Sequence, residues 1–133
     1  HHKFLRTGMA TTAYNDSHMQ LISASQLTEE DVIVFISHSG ANKDLLEVLE
    51  VAKKNRIKTI AITHFAKSPL SNRVDIPLFT VSQETEYRGE ALASRISQLS
   101  IVDALYVNIM KKRKELSKAS LQKLRDAISI KKV

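Results

Sequence analysis

Apolar residues along the chain fall into two alternating patterns. Val32-Ile33-Val34-Phe35-Ile36 is an unbroken apolar run, which predicts a strand buried on both faces. It ends in Ser37-His38-Ser39-Gly40. From about Asn42 to Lys54, Leu45, Val48, Leu49 and Ala52 then recur at helical spacing, the mark of a helix with one apolar side. Lys53 and Lys54 at its far end suit the negative end of the helix dipole. Thr59-Ile60-Ala61-Ile62-Thr63 repeats the buried-strand pattern, Pro69 interrupts the chain, and Ile76 to Val81 reads as a third strand.

The flanks are also patterned. His1 to Gly8 reads as a short helix end closed by Gly8, since glycine is favoured just past a helix. Met9 to Tyr14 suits a short strand, and Asn15-Asp16-Ser17 supplies turn and capping chemistry. His18 to Leu27 follows as a short helix with Met19, Ile22 and Leu27 as its apolar members. From about Glu86 to Lys112, Leu92, Ile96, Leu99, Val102, Tyr106 and Ile109 recur every three or four residues. That stripe reads first as the core face of a long helix. A last helix carries Leu121, Leu124 and Ile128 on one side.

Apolar strands alternating with helices predict an α/β fold, a doubly wound parallel sheet flanked by helices. In such sheets ligands bind beyond the C-terminal ends of the strands. The loops after Ile36, Ile62 and Val81 are therefore the places to look for chemistry.

The 133 residues make a single domain, 1–133, and 43% hydrophobic with 26% charged residues excludes a wholly disordered chain. Cysteine is absent, which removes disulfides, thiolate metal sites and cysteine nucleophiles. No apolar run approaches the roughly 20 residues that span a bilayer, and no secretory signal is visible. The expectation is a soluble cytoplasmic protein with no membrane partner.

The net charge of +6 invites a nucleic-acid reading, but its placement argues against one. From Met110 to Val133 there are nine basic and two acidic residues, out of 20 and 14 in the whole chain, so the body is close to neutral. A lysine-rich final helix is more often a solvated helix end than a grip on DNA.

Ser37-His38-Ser39-Gly40-Ala41-Asn42 carries the clearest chemistry. It joins the best strand to the best helix, and the free N–H groups and positive dipole of a helix N-terminus form an anion site. The loop holds no Lys or Arg, so neutral donors would bind the anion. The competing reading, equally weighted on these residues alone, is that Ser39 or Asn42 simply caps the helix. His1, His2, His18, His38 and His64 lack metal-ligand spacing, so no metal is expected. His38 and His64 fall at strand ends, where ordinary loop residues are the commoner outcome. Glu84, Glu86 and Glu90 crowd the start of the long helix, where acids are favoured anyway; only Glu84 stands as a pocket candidate.

Val32-Ile33-Val34-Phe35-Ile36-Ser37-His38-Ser39-Gly40 resembles the S-x-S-G segment of the sugar isomerase (SIS) domain. The likeness continues in order through Ile60-Ala61-Ile62-Thr63, Ser68-Pro69-Leu70 and Val74-Asp75. Ser94-Arg95-Ile96 and Asp103-Ala104-Leu105-Tyr106 are similar to the subgroup found in RpiR/MurR-type transcriptional regulators. The resemblance implies a flavodoxin-like strand order and a site for the phosphate of a sugar phosphate. By it, Ser37 and Ser39 donate through their hydroxyls, and His38, Ser39 and Gly40 through backbone N–H groups. Asn42 stands where the family usually has Thr and would donate through its amide. Glu84 matches an acidic position near the sugar end.

Two features of the family have no counterpart here. A first strand with a Gly-rich loop would lie between Met9–Tyr14 and Val32–Ile36, so the resemblance implies a sheet without its first strand. The N-terminal helix-turn-helix module through which such regulators contact DNA is not in this sequence. The resemblance thus implies a homodimeric sensor domain that binds a sugar phosphate, uses no cofactor and modulates DNA binding by a separate module. The alternative is an enzyme of the same fold, an aldose–ketose phosphosugar isomerase, which needs a base beside the carbonyl; His38, His64 and Glu84 are the candidates. A flavodoxin-like nucleotide or flavin binder has no supporting motif.

Overall fold

The computed structural model describes residues 1–82 and 92–131. Its elements are α1 (His2–Leu5), α2 (Ser17–Gln26), β1 (Val32–Ile36), α3 (Lys43–Lys54), β2 (Lys58–Thr63), β3 (Ile76–Phe79), α4 (Leu92–Lys112) and α5 (Lys114–Ser129). The fold is α/β. The three strands form one parallel sheet in the order β1-β2-β3, with Val34 opposite Ile60 and Ile60 opposite Ile76. The chain divides into two compact units, Tyr14–Ile101 and the pairing of His1–Ala13 with the segment from Val102 onward.

In the first unit the core lies between one sheet face and two helices. Ala24, Phe35, Val48, Leu49, Ala61 and Leu70 form it, with Leu21, Ile33, Leu45 and Val51 packed against it. Each helix begins on a side-chain cap: Asp16 accepts from the N–H of Met19, and Asn42 from that of Leu45. Those bonds satisfy donors that the first helical turn leaves free. The α3 crossover returns the chain for a parallel β2, as parallel pairing demands. The link from β2 to β3 contains turns and no helix, departing from strict strand–helix alternation. Asp75 closes that link, its carboxylate accepting from both the N–H and the hydroxyl of Thr59, each at 2.8 Å.

Several expectations are corrected. Met9 to Tyr14 forms no strand: a strand must pair its N–H and C=O groups, and among the described residues β1 pairs only with β2. β1 is not buried on both faces. Ile33 and Phe35 point to the core, while Val32, Val34 and Ile36 are 54%, 43% and 50% exposed, following the strand's two-residue alternation. β3 ends at Phe79 rather than Val81. The buried members of α2 and their neighbours are Ala24 and Leu21, with Met19 and Ile22 exposed and Leu27 outside the helix. On α4, Ile96 and Leu99 stand exposed rather than in a core.

In the second unit, Gly8 ends the N-terminal turn at φ +76°, and a Cβ there would lie 3.0 Å from the Ser120 Oγ of α5. Phe4 meets Tyr106 edge-on at 6.5 Å, and Lys3 pairs with Asp103.

Candidate functional site

The C-terminal ends of β1 and β2 hold the loop singled out in the sequence, residues 37–42. Its first N–H, that of Ser37, still donates to the Ile62 carbonyl at 3.0 Å, so the loop leaves the sheet already in register with β2. The His38 carbonyl then accepts from the His64 N–H at 3.1 Å and from the Thr63 hydroxyl at 3.2 Å. Gly40 turns the chain at φ +62°, in the left-handed region where L side chains are strained.

The loop's hydroxyls and amides organise each other. Gly40 N–H donates to Ser37 Oγ at 3.2 Å, and Ala41 N–H to Ser39 Oγ at 3.3 Å. Among the described residues the backbone N–H groups of His38 and Ser39 have no partner. Ser39 is exposed, and Ser37 and His38 are half-buried. Backbone donors, two hydroxyls and the N-terminus of the twelve-residue α3 therefore meet at one place, an arrangement suited to an anion.

Of the two readings of this loop, the capping one holds for Asn42. Its Oδ1 accepts from the Leu45 N–H at 3.1 Å, so Asn42 is the helix cap. Among the described residues Ser39 Oγ has only the Ala41 contact inside its own turn.

A second loop, absent from the sequence reading as a functional element, braces the first. Leu70 N–H donates to the Gly40 carbonyl at 2.9 Å. Ser68 is buried and receives the Ser71 N–H, while Ser71 Oγ lies within hydrogen-bond distance of the Phe65, Ala66 and Ser68 carbonyls. The small side chains of Ser68-Pro69-Leu70 were visible in the sequence; their contact with Gly40 requires the fold.

His38 and His64, read as ordinary loop residues, are stacked ring on ring. His18 is exposed on α2. Glu84, Glu86 and Glu90 lie outside the described residues, as does the beginning expected for the long helix. No group of three or more metal-ligating side chains occurs among the described residues, and no described helix is long and apolar enough to cross a membrane. A recess of about 250 Å³ lies at the opposite end of β2, lined by Lys53, Arg56, Lys58, Arg73 and Asp75 among others. Its charges are largely paired: Arg56 with Glu29, Lys58 with Asp75 and Arg73 with Glu50.

Comparison with known proteins agrees with this architecture. Residues 2–108 match the model of the SIS domain family. The chain is 38% identical over 122 residues to the HTH-type transcriptional regulator RpiR of Escherichia coli strain K12, covering 92% of this chain and 41% of that protein. The NanR protein of Vibrio vulnificus, solved as a complex with ManNAc-6P, superposes with a TM-score of 0.85 at 27% identity, over 96% of this chain and 48% of that one. The sugar isomerase domain of the RpiR transcription factor from Sphaerobacter thermophilus superposes with a TM-score of 0.81 at 20% identity, over 94% of this chain and 68% of that one. The chain spans less than half the length of the curated relatives it matches.

Proposed function

The chain belongs to the SIS domain family, and from that premise we propose that it is the phosphosugar-sensing part of a cytoplasmic RpiR-type transcriptional regulator. Residues 1–133 form the effector domain. A sugar phosphate bound there modulates DNA contact made by a separate helix-turn-helix domain. The observation that carries this reading is the Ser37–Asn42 loop, where N–H groups without a partner among the described residues and two hydroxyls gather at the start of α3 while Asn42 serves as the cap. Ser37, Ser39 and the backbone of His38, Ser39 and Gly40 hold the phosphate. The Asn42 amide nitrogen, without a partner among the described residues, adds a donor while its oxygen makes the cap, and Glu84 is the candidate for the sugar end by the family resemblance alone. The relatives' regulator names and the NanR complex with ManNAc-6P support the same assignment.

The protein works as a homodimer and carries out no turnover. The relatives' names as transcriptional regulators support the absence of turnover; isomerisation would need a base placed beside the carbonyl. The test is a thermal-shift screen of hexose and N-acetylhexosamine 6-phosphates, followed by NMR of each mixture. A cognate ligand at 100 times its Kd stabilises the fold by about 2.7 kcal/mol, and the ligand is recovered unchanged. Sustained interconversion of aldose and ketose phosphates would instead establish the isomerase alternative.

A further inference from the structure

His38 lies between the two serines of the anion loop, and its ring rests flat on that of His64. The centroids are 4.9 Å apart and the planes 13° from parallel. Phe65 meets both rings edge-on, at 5.7 Å from His38 and 4.8 Å from His64. The cluster fastens the end of β1 to the end of β2, beside the backbone bond from His64 N–H to the His38 carbonyl.

Two details give the pair a function beyond packing. His64 Nδ1 stands 2.9 Å from the Thr80 carbonyl. A carbonyl only accepts, so Nδ1 carries the proton and Nε2 remains to take up a second. His38 Nδ1 is buried with no hydrogen-bond partner among the described residues, a state that costs stability and calls for an explanation. The loop these rings adjoin contains no Lys or Arg, although a phosphate monoester carries close to two negative charges at neutral pH.

We propose that His38 and His64 supply the positive charge of this anion site, a bound dianion drawing one proton onto the stacked pair. The inference rests on the reading of residues 37–42 as a phosphate site. One proton is the limit, because two imidazolium rings at this spacing repel each other. The described groups about the pair are neutral: the Ser37 and Ser39 hydroxyls on the β1 loop, Thr63 and Phe65 at the end of β2, and the Thr80 carbonyl beyond β3. Neither ring has an ion pair among the described residues. Lys67 is the next charged residue along the β2–β3 link, and Glu84 lies outside the described residues.

The experiment is calorimetric titration of the full chain with inorganic sulfate between pH 5.5 and 8.5. Sulfate keeps both charges across that range, whereas phosphate itself titrates near pH 6, so any pH dependence belongs to the protein. Affinity is expected to fall with rising pH by up to about tenfold per unit, the slope for uptake of one proton. The binding enthalpy is expected to vary with buffer ionisation heat, showing uptake of at most one proton. His64→Gln and His38→Gln each flatten the profile, and the double variant removes it. Buffer-independent enthalpy in the unaltered chain overturns the proposal without recourse to any variant. So does a pH-flat affinity that is still weakened by Ser39→Ala, which leaves the loop reading intact. Absence of sulfate binding at every pH overturns both.

Discussion

Gly40 lies so close to Ser68 that a Cβ placed on it would fall 2.2 Å from the Ser68 Oγ and 2.7 Å from the Ser68 Cβ. This approach, with the Leu70 N–H bond to the Gly40 carbonyl, makes the Ser68-Pro69-Leu70 turn the outer wall of the anion loop. Gly40 is thus required twice, by its φ of +62° and by the space it leaves. Gly40→Ala is expected to lose about 2 kcal/mol or more, from left-handed strain added to the collision, and to abolish anion binding. Adding Ser68→Gly removes the collision and leaves the strain, so chemical denaturation of the double variant recovers part of the loss. Equal stability of Gly40→Ala with and without Ser68→Gly refutes the wall.

Asn42 caps α3 and Ser39 does not, and one pair of variants shows the difference. Asn42→Ala removes the bond to the Leu45 N–H and costs about 1 kcal/mol of stability. It also removes the amide donor proposed for the phosphate, so phosphosugar affinity falls as well. Ser39→Ala keeps the stability and weakens affinity about 10-fold or more, since a hydrogen bond to a charged acceptor is worth about 1.5–3 kcal/mol. Melting curves and calorimetry on both variants check the difference; reversed effects on stability return Ser39 to the role of a cap.

The Asp75 carboxylate accepts from the Thr59 N–H and hydroxyl, and those bonds, with help from Lys58, hold its pKa below the ordinary value of 3.8. A carboxyl with a depressed folded-state pKa contributes stability in full above its unfolded value and loses it as pH falls through the folded value. Acidification below about pH 4 is therefore expected to lower the Tm of the unaltered chain more steeply than that of Asp75→Asn. Above that range Asp75→Asn is the less stable of the two. Parallel Tm–pH curves count against the linkage.

Ile96 and Leu99 stand 68% and 57% exposed on α4, which suits the homodimer proposed above, because exposed apolar stripes mark interfaces. Sedimentation is expected to give twice the 15.0 kDa chain mass at micromolar concentration. Ile96→Asp with Leu99→Asp returns the protein to monomer with little change in Tm. A monomeric mass for the unaltered chain rejects the assignment.

The 37–42 loop, the candidate anion site, was legible before the fold because its signals are local. A strand end, two serines, a glycine and a helix start follow one another within a few residues. The wall around it was not, because Ser68 and His64 reach the loop only when β2 pairs with β1. The stripe of α4 misled for a related reason: helical spacing marks an apolar face but not what covers it, and Ile96 and Leu99 are uncovered.

The sequence by itself determined the three parallel strands, the helices between and after them, and the loop we propose for an anion, since each depends on side-chain periodicity and short-range capping. Tertiary structure decided what periodicity cannot encode. Met9 to Tyr14 has strand-like residues but forms no strand, because backbone pairing needs a neighbour. Val32, Val34 and Ile36 are as apolar as Phe35 yet stand exposed, because only one face of β1 meets α2 and α3. His38 and His64 read as ordinary loop residues until the β1–β2 register stacks them, and their proposed charge on the site follows from that contact alone.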